Sequence, residues 1–161
     1  MMNRTRLRHG IPGWVEPSNH WLVTLCCKER GANTLANPQQ FGAISSALAF
    51  YERLLKLKIA GLVVMPDHLH LVAQFNPDPG MRRAVESLKR YLARQYGIHW
   101  QEGFFDHRIR SDKLIRETLV YMQMNPVRAG LVTDSKDWPY FWKDAKKAVS
   151  EKPPYPGRRG G

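Results

Sequence analysis

The apolar run Leu62-Val63-Val64-Met65 stops at Pro66-Asp67 and resumes at once as His68-Leu69-His70-Leu71-Val72. Proline has a fixed φ and no amide proton for a ladder, so strand pairing should break there and the chain should turn. The stretch therefore reads as a strand over 56–65, a break, and a second strand from His68 to Phe75. On an extended chain residues i and i+2 face the same way, which sets His68 and His70 side by side and turns Leu69 and Leu71 to the opposite, buried face. Two imidazoles at this spacing are either the polar face of a half-exposed strand or a half-built metal site in need of at least one more donor.

At 161 residues, with 43% hydrophobic and 24% charged side chains, the chain has the composition of one globular domain with a core of its own. No apolar run approaches the roughly 20 residues of a membrane span, and none follows the N-terminus as a secretory signal would. Cys26 and Cys27 are adjacent on a strand-like run, face opposite sides and are not expected to bridge. A reduced, cytoplasmic protein with no membrane partner is the expectation. Lys and Arg number 25 against 14 Asp and Glu, a net charge of +11 that points to a polyanion, above all nucleic acid.

Residues 1–20 are basic and interrupted by Gly10, Pro12, Gly13 and Pro17, which suggests an irregular arm before a domain over 21–146 and a basic flexible tail over 147–161. Within the domain, 21–27 reads as a first strand. Asn37-Pro38 opens a helix whose apolar stripe, Phe41, Ile44, Leu48 and Leu55, runs to about Leu55. The strands over 56–65 and from His68 follow. A second helix spans Met81 to Tyr96 and stops at Gly97, and 107–110 is a short fourth strand. Ser111 caps a third helix to Met124, which Asn125-Pro126 ends. The aromatic cluster from Trp138 to Trp142 should pack back onto the domain. The order strand, helix, strand, strand, helix, strand, helix is that of an α+β, ferredoxin-like antiparallel sheet with an added helix. The histidines then lie mid-sheet, on the face that the added helix covers.

On the third helix Ile115, Leu119 and Met122 form the core stripe, flanked by Leu114, Thr118, Tyr121 and Asn125. Tyr121 and Asn125 are one turn apart on one edge. A phenol and an amide oxygen so placed can attack phosphorus and complete a metal site. They can equally be a half-buried tyrosine and a helix-terminal asparagine.

The segment Met65-Pro66-Asp67-His68-Leu69-His70-Leu71-Val72 resembles the HUH motif of IS200-like one-tyrosine transposases. The runs from Phe104 to Ser111 and from Tyr121 to Val132, the latter containing Asn125-Pro126-Val127-Arg128-Ala129-Gly130, are similar to the REP-associated tyrosine transposase branch. The similarity spans about 21–142. The resemblance implies a divalent metal, Mg²⁺ or Mn²⁺, held by His68 and His70, and Tyr121 as nucleophile. Asn125 stands where related enzymes carry a polar third ligand, often glutamine. The implied activity is metal-dependent cleavage and transfer of single-stranded or REP-type hairpin DNA through a 5′-phosphotyrosine, by a monomer or homodimer.

DNA contacts are expected from Arg82, Arg83, Lys89, Arg90 and Arg94 of the second helix, and from Arg108 and Arg110. Tyr91 or Trp100 could stack on unpaired bases, and His107 could touch phosphate. No Gly-rich nucleotide-binding loop is present. Two rival readings remain at this point, a non-catalytic basic nucleic-acid-binding protein and a zinc-dependent hydrolase with water as nucleophile.

Overall fold

The computed structural model describes residues 13–15 and 19–144, so most of the expected N-terminal arm and all of the tail over 147–161 lie outside the described residues. In chain order the elements are β1 (His20–Cys26), α1 (Pro38–Arg53), β2 (Leu57–Val64), β3 (His68–Phe75), α2 (Met81–Tyr96), β4 (Phe105–Ile109), α3 (Asp112–Gln123), α4 (Asn125–Arg128) and β5 (Phe141–Lys143). The strands form one sheet in the order β4-β1-β3-β2-β5, with every neighbouring pair antiparallel. Its first four strands have the expected ferredoxin-like arrangement, with β3 at the centre.

Local chemistry sets the helix ends. The Asn37 side chain accepts from the Gln40 amide at 2.9 Å to start α1, and Ser111 accepts from the Leu114 amide at 3.1 Å to start α3. Gly97 closes α2 in the left-handed region, at φ 70°. Three expectations change. α3 does end at Gln123, with Met124 as its cap, but Pro126 then sits in the first turn of a separate short helix, α4, where its missing amide proton is not needed. β4 starts at Phe105 and not at 107, because β1 offers partners as far as Thr24. The aromatic cluster does more than pack, since Phe141–Lys143 add an edge strand to β2 and the Trp138 indole donates to the Val64 carbonyl at 3.1 Å.

Each face of the sheet has its own core. Leu69, Leu71, Ala73 and Phe75 of β3 meet Ile44 and Leu48 of α1 and Val85, Leu88 and Leu92 of α2. On the other face Ile115, Leu119 and Met122 of α3 meet Ala60, Val63, Val72 and Ile109. Side chains alternate along a strand, so His68 and His70 share the face of Val72 and lie on the α3 side. A bulge in β2 between Ile59 and Gly61 shifts its alternation: Ile59 and Leu62 both face α1 and α2, while Ala60 and Val63 face α3.

Gly61 leaves the space into which Leu119 inserts, and a Cβ there would collide with the Leu119 side chain. Gly61→Val is therefore expected to lower stability by about 1–3 kcal/mol through overpacking under α3. Gly42, inside α1, has nothing within 4 Å of an added Cβ. Gly42→Ala should raise stability by about 0.5–1 kcal/mol, because alanine loses less backbone freedom in a helix. Urea denaturation of the two variants beside wild type measures both shifts, and equal effects at the two sites would contradict the packing described.

Candidate metal and nucleophile site

The two histidines are held by different partners. His70 lies across from Thr24 of β1, and the Thr24 hydroxyl sits 2.8 Å from the His70 Nδ1. The His68 Nδ1 sits 2.8 Å from Asp67 Oδ1. The rings meet edge to face with centroids 5.0 Å apart. With both δ nitrogens engaged, the ε nitrogens are the ones left to ligate, an orientation characteristic of metal-binding histidines supported by a hydroxyl or carboxylate behind the ring. Burial, and then the charges of His68 and Arg128, push the His70 pKa down to about 4, so its ring is neutral near pH 7 and its lone pair is available. Among the described residues no group of three or more His, Cys, Asp and Glu is placed to hold a metal. Among the described residues, a third donor to the pair would be of another kind, such as the Asn125 amide oxygen, or a water.

Asp67 is itself clamped. It accepts from Arg30 Nε at 3.0 Å, from Arg30 Nη2 at 3.4 Å and from the Gly31 amide at 2.8 Å. Burial opposes its ionisation, but hydrogen bonds from Arg30, His68 and Gly31 outweigh that and hold its carboxyl well below the usual carboxylate range. The backbone adds to the clamp: the Cys27 amide donates to Asp67 O at 2.9 Å, and the Thr34 and Leu35 amides donate to Pro66 O at 2.8 and 2.9 Å. Residues 28–33, whose sequence reads as a turn, thus grip the tight turn between β2 and β3 together with Thr34 and Leu35. No local pattern announces this, because the partners lie more than thirty residues apart.

Tyr121 projects from α3 with 60% of its surface exposed. The Arg128 guanidinium carbon lies 3.5 Å from the centroid of the tyrosine ring, and Arg128 Nη2 donates to the Tyr121 carbonyl at 2.8 Å. Asn125, half-buried, lies one turn on from Tyr121 at the start of α4. No local pattern places Arg128 beside Tyr121, because that depends on a second short helix, α4, following α3 directly after the turn at Met124. With α4 in place, Arg128 returns to the side of Tyr121, seven residues on.

The expected DNA-binding residues are placed elsewhere. α2 packs on the face opposite the histidines. Its Arg83 and Arg90 line, with Lys56, Tyr51 and Ser87, a cavity of about 450 Å³. Arg82 pairs with Glu86 at 3.9 Å and stacks 5.4 Å from the Phe104 ring centroid, while Arg94 is exposed. Lys89 is engaged within the fold: its ammonium donates to the Gln101 and Gly103 carbonyls and pins the loop that leads to β4. Arg108 stacks over Trp21, on the α1/α2 side, and Arg110 is exposed beyond β4. Of the aromatic candidates, Trp100 packs on the core and donates to the Lys89 carbonyl at 3.2 Å, whereas Tyr91 is exposed against Tyr96. His107 lies across from Leu22 on the histidine face. Phe105, 66% exposed, is on the same face in the row Phe105, Thr24, His70, and no sequence pattern singles it out.

Three comparisons agree on kinship. A putative REP-associated tyrosine transposase of Haemophilus influenzae is 33% identical over 120 residues, 62% of this chain and 65% of that protein, so this chain spans just under two thirds of that relative. The REP-associated tyrosine transposase of Escherichia coli K12 is 26% identical over 134 residues, 80% of each chain. A solved REP-associated tyrosine transposase bound to a REP hairpin superimposes with a TM-score of 0.68 at 26% identity, over 78% of this chain and 77% of that one. The model of the IS200-like transposases matches residues 20–111, more than half of the chain and every strand of the ferredoxin-like core, and the chain belongs to that family.

Proposed function

We propose that this protein cuts and rejoins single-stranded DNA beside REP-type hairpins through a covalent bond to Tyr121. What supports the reading most is a shared face: the paired imidazoles of β3 and the helix that carries Tyr121 lie on the same side of the sheet. The hairpin in the solved relative supports the substrate class.

In this reading the Tyr121 oxygen attacks phosphorus and the bond to the 3′ oxygen breaks. The phenolic proton passes to solvent, the departing 3′ oxygen gains a proton, and the 5′ side of the DNA stays esterified to the tyrosine. The reverse attack restores the strand without ATP. His68, His70 and Asn125 would hold Mg²⁺ or Mn²⁺, which supplies charge withdrawal from a non-bridging phosphate oxygen. Thr24 and Asp67 keep both ε nitrogens facing outward, so no imidazole has to reorient when the site fills. Exposure of Tyr121 leaves room for a strand to approach in line. The exposed cations of α2 would hold flanking DNA by charge.

Tyr121→Phe should abolish cleavage and the protein–DNA adduct. Stability should change by less than about 0.5 kcal/mol, because the side chain is exposed. Peptide mapping of the adduct by mass spectrometry checks this, and cleavage that persists without an adduct would identify water as the nucleophile.

His70→Ala should remove Mn²⁺-dependent cleavage and weaken Mn²⁺ binding by titration calorimetry at least about 10-fold, with hairpin binding kept. Undiminished cleavage in EDTA would refute the metal's role.

Hairpin affinity should fall steeply with salt, and Arg83→Ala with Arg90→Ala should flatten the log–log slope by about 1–2 if those side chains neutralise phosphates. Filter binding from 50 to 200 mM salt measures it, and an unchanged slope would place the DNA on another surface.

A further inference from the structure

Arg128 is tied to Tyr121 twice, by its stack on the ring and by its hydrogen bond to the tyrosine carbonyl. Those two contacts fix the guanidinium in place yet occupy one face and one nitrogen of it. Among the described residues no carboxylate lies within ion-pair distance of Arg128, and it is exposed. The other stacked arginines differ, lying 5.4 to 5.8 Å from their rings against 3.5 Å here. An exposed guanidinium held rigidly, with its remaining N–H groups unspent, is a fork for an anion with two oxygens side by side.

We infer that Arg128 is a catalytic residue, the phosphate clamp of this site: its guanidinium grips the non-bridging oxygens of the phosphodiester that Tyr121 attacks, while its stack holds the tyrosine ring beside that phosphate. The inference rests on the reading of Tyr121 as nucleophile for its catalytic half and on the geometry alone for its phosphate-binding half. An arginine that bridges nucleophile and phosphate spares the reaction the entropy of aligning them, and it stabilises the charge that grows on the phosphoryl oxygens. Lysine would keep the charge but lose the planar stack and the two-point grip.

The test has two arms. In the first, ¹⁵N-labelled protein carrying Tyr121→Phe, which keeps the ring, is titrated with hexathymidylate, and the Arg128 Nε–H resonance is assigned by its loss in Arg128→Lys. The resonance should move saturably with the phosphodiester oligomer and stay still with its uncharged methylphosphonate analogue. A resonance that does not respond, whether or not other signals move, overturns the phosphate site. The second arm measures single-turnover adduct formation on a hairpin oligonucleotide with its single-stranded flanks. At saturating DNA, Arg128→Gln should slow it by about 100-fold or more, and Arg128→Lys should restore only part of the rate. An unchanged rate in Arg128→Gln overturns the catalytic role and leaves the enzyme reading standing. If wild type forms no adduct, the nucleophile assignment and the catalytic role fall together, and the first arm alone judges whether Arg128 binds phosphate.

Discussion

Everything in this molecule depends on the alternation of β3, a central strand paired on both edges and covered on both faces. Leu69, Leu71, Ala73 and Phe75 supply the core under α1 and α2, and Val72 anchors the core under α3. A slip of one residue would drive His68 and His70 into the larger apolar core and lift the leucines out of it. Burial of two imidazoles without partners would cost several kcal/mol, so hydrophobic burial itself sets where the histidines point. The bulge at Ala60 is the complementary device. It lets β2, an almost wholly apolar strand, serve both cores by changing which face its residues address.

The second layer of constraint is polar. Thr24 and Asp67 stand behind the two rings, and Asp67 is locked by Arg30, Gly31 and the backbone of the preceding loop. These groups stiffen the turn between β2 and β3, so the imidazoles are ordered by the fold before anything binds to them. The same logic governs α3 and α4: Leu119 fills the space that Gly61 leaves, which seats the helix on the sheet, and Arg128 then holds the Tyr121 ring at its exposed end. Regular elements thus carry both halves of the candidate site, and the tyrosine stands exposed at its edge.

The net charge of +11 named a polyanion as partner but not the surface that meets it. The most obvious basic helix, α2, buries its apolar stripe on the far side of the sheet from the histidines, and Lys89 is used to hold the loop before β4. Helical periodicity tells which side of a helix faces inward. Which face of the sheet that helix covers is set by the handedness of the connection, and it cannot be read from the helix's own residues.

What the sequence determined by itself was everything governed by local rules. Pro66-Asp67 breaks the strand, His-x-His puts two rings on one side, and Asn37, Ser111 and Gly97 start and stop helices through their own side chains or lack of one. The order of strands and helices then leaves few antiparallel arrangements, so the ferredoxin-like core was legible. The roles of His68, His70, Tyr121 and Asn125 rested on local spacing joined to a resemblance. Tertiary structure alone decided the rest: the Asp67 clamp, the edge strand β5, the short helix α4 directly after α3 and the stack of Arg128 on Tyr121. Each joins residues whose proximity depends on how whole elements pack, and the physical reason they were hidden is that packing chooses among backbone paths that local preference leaves nearly equal in energy.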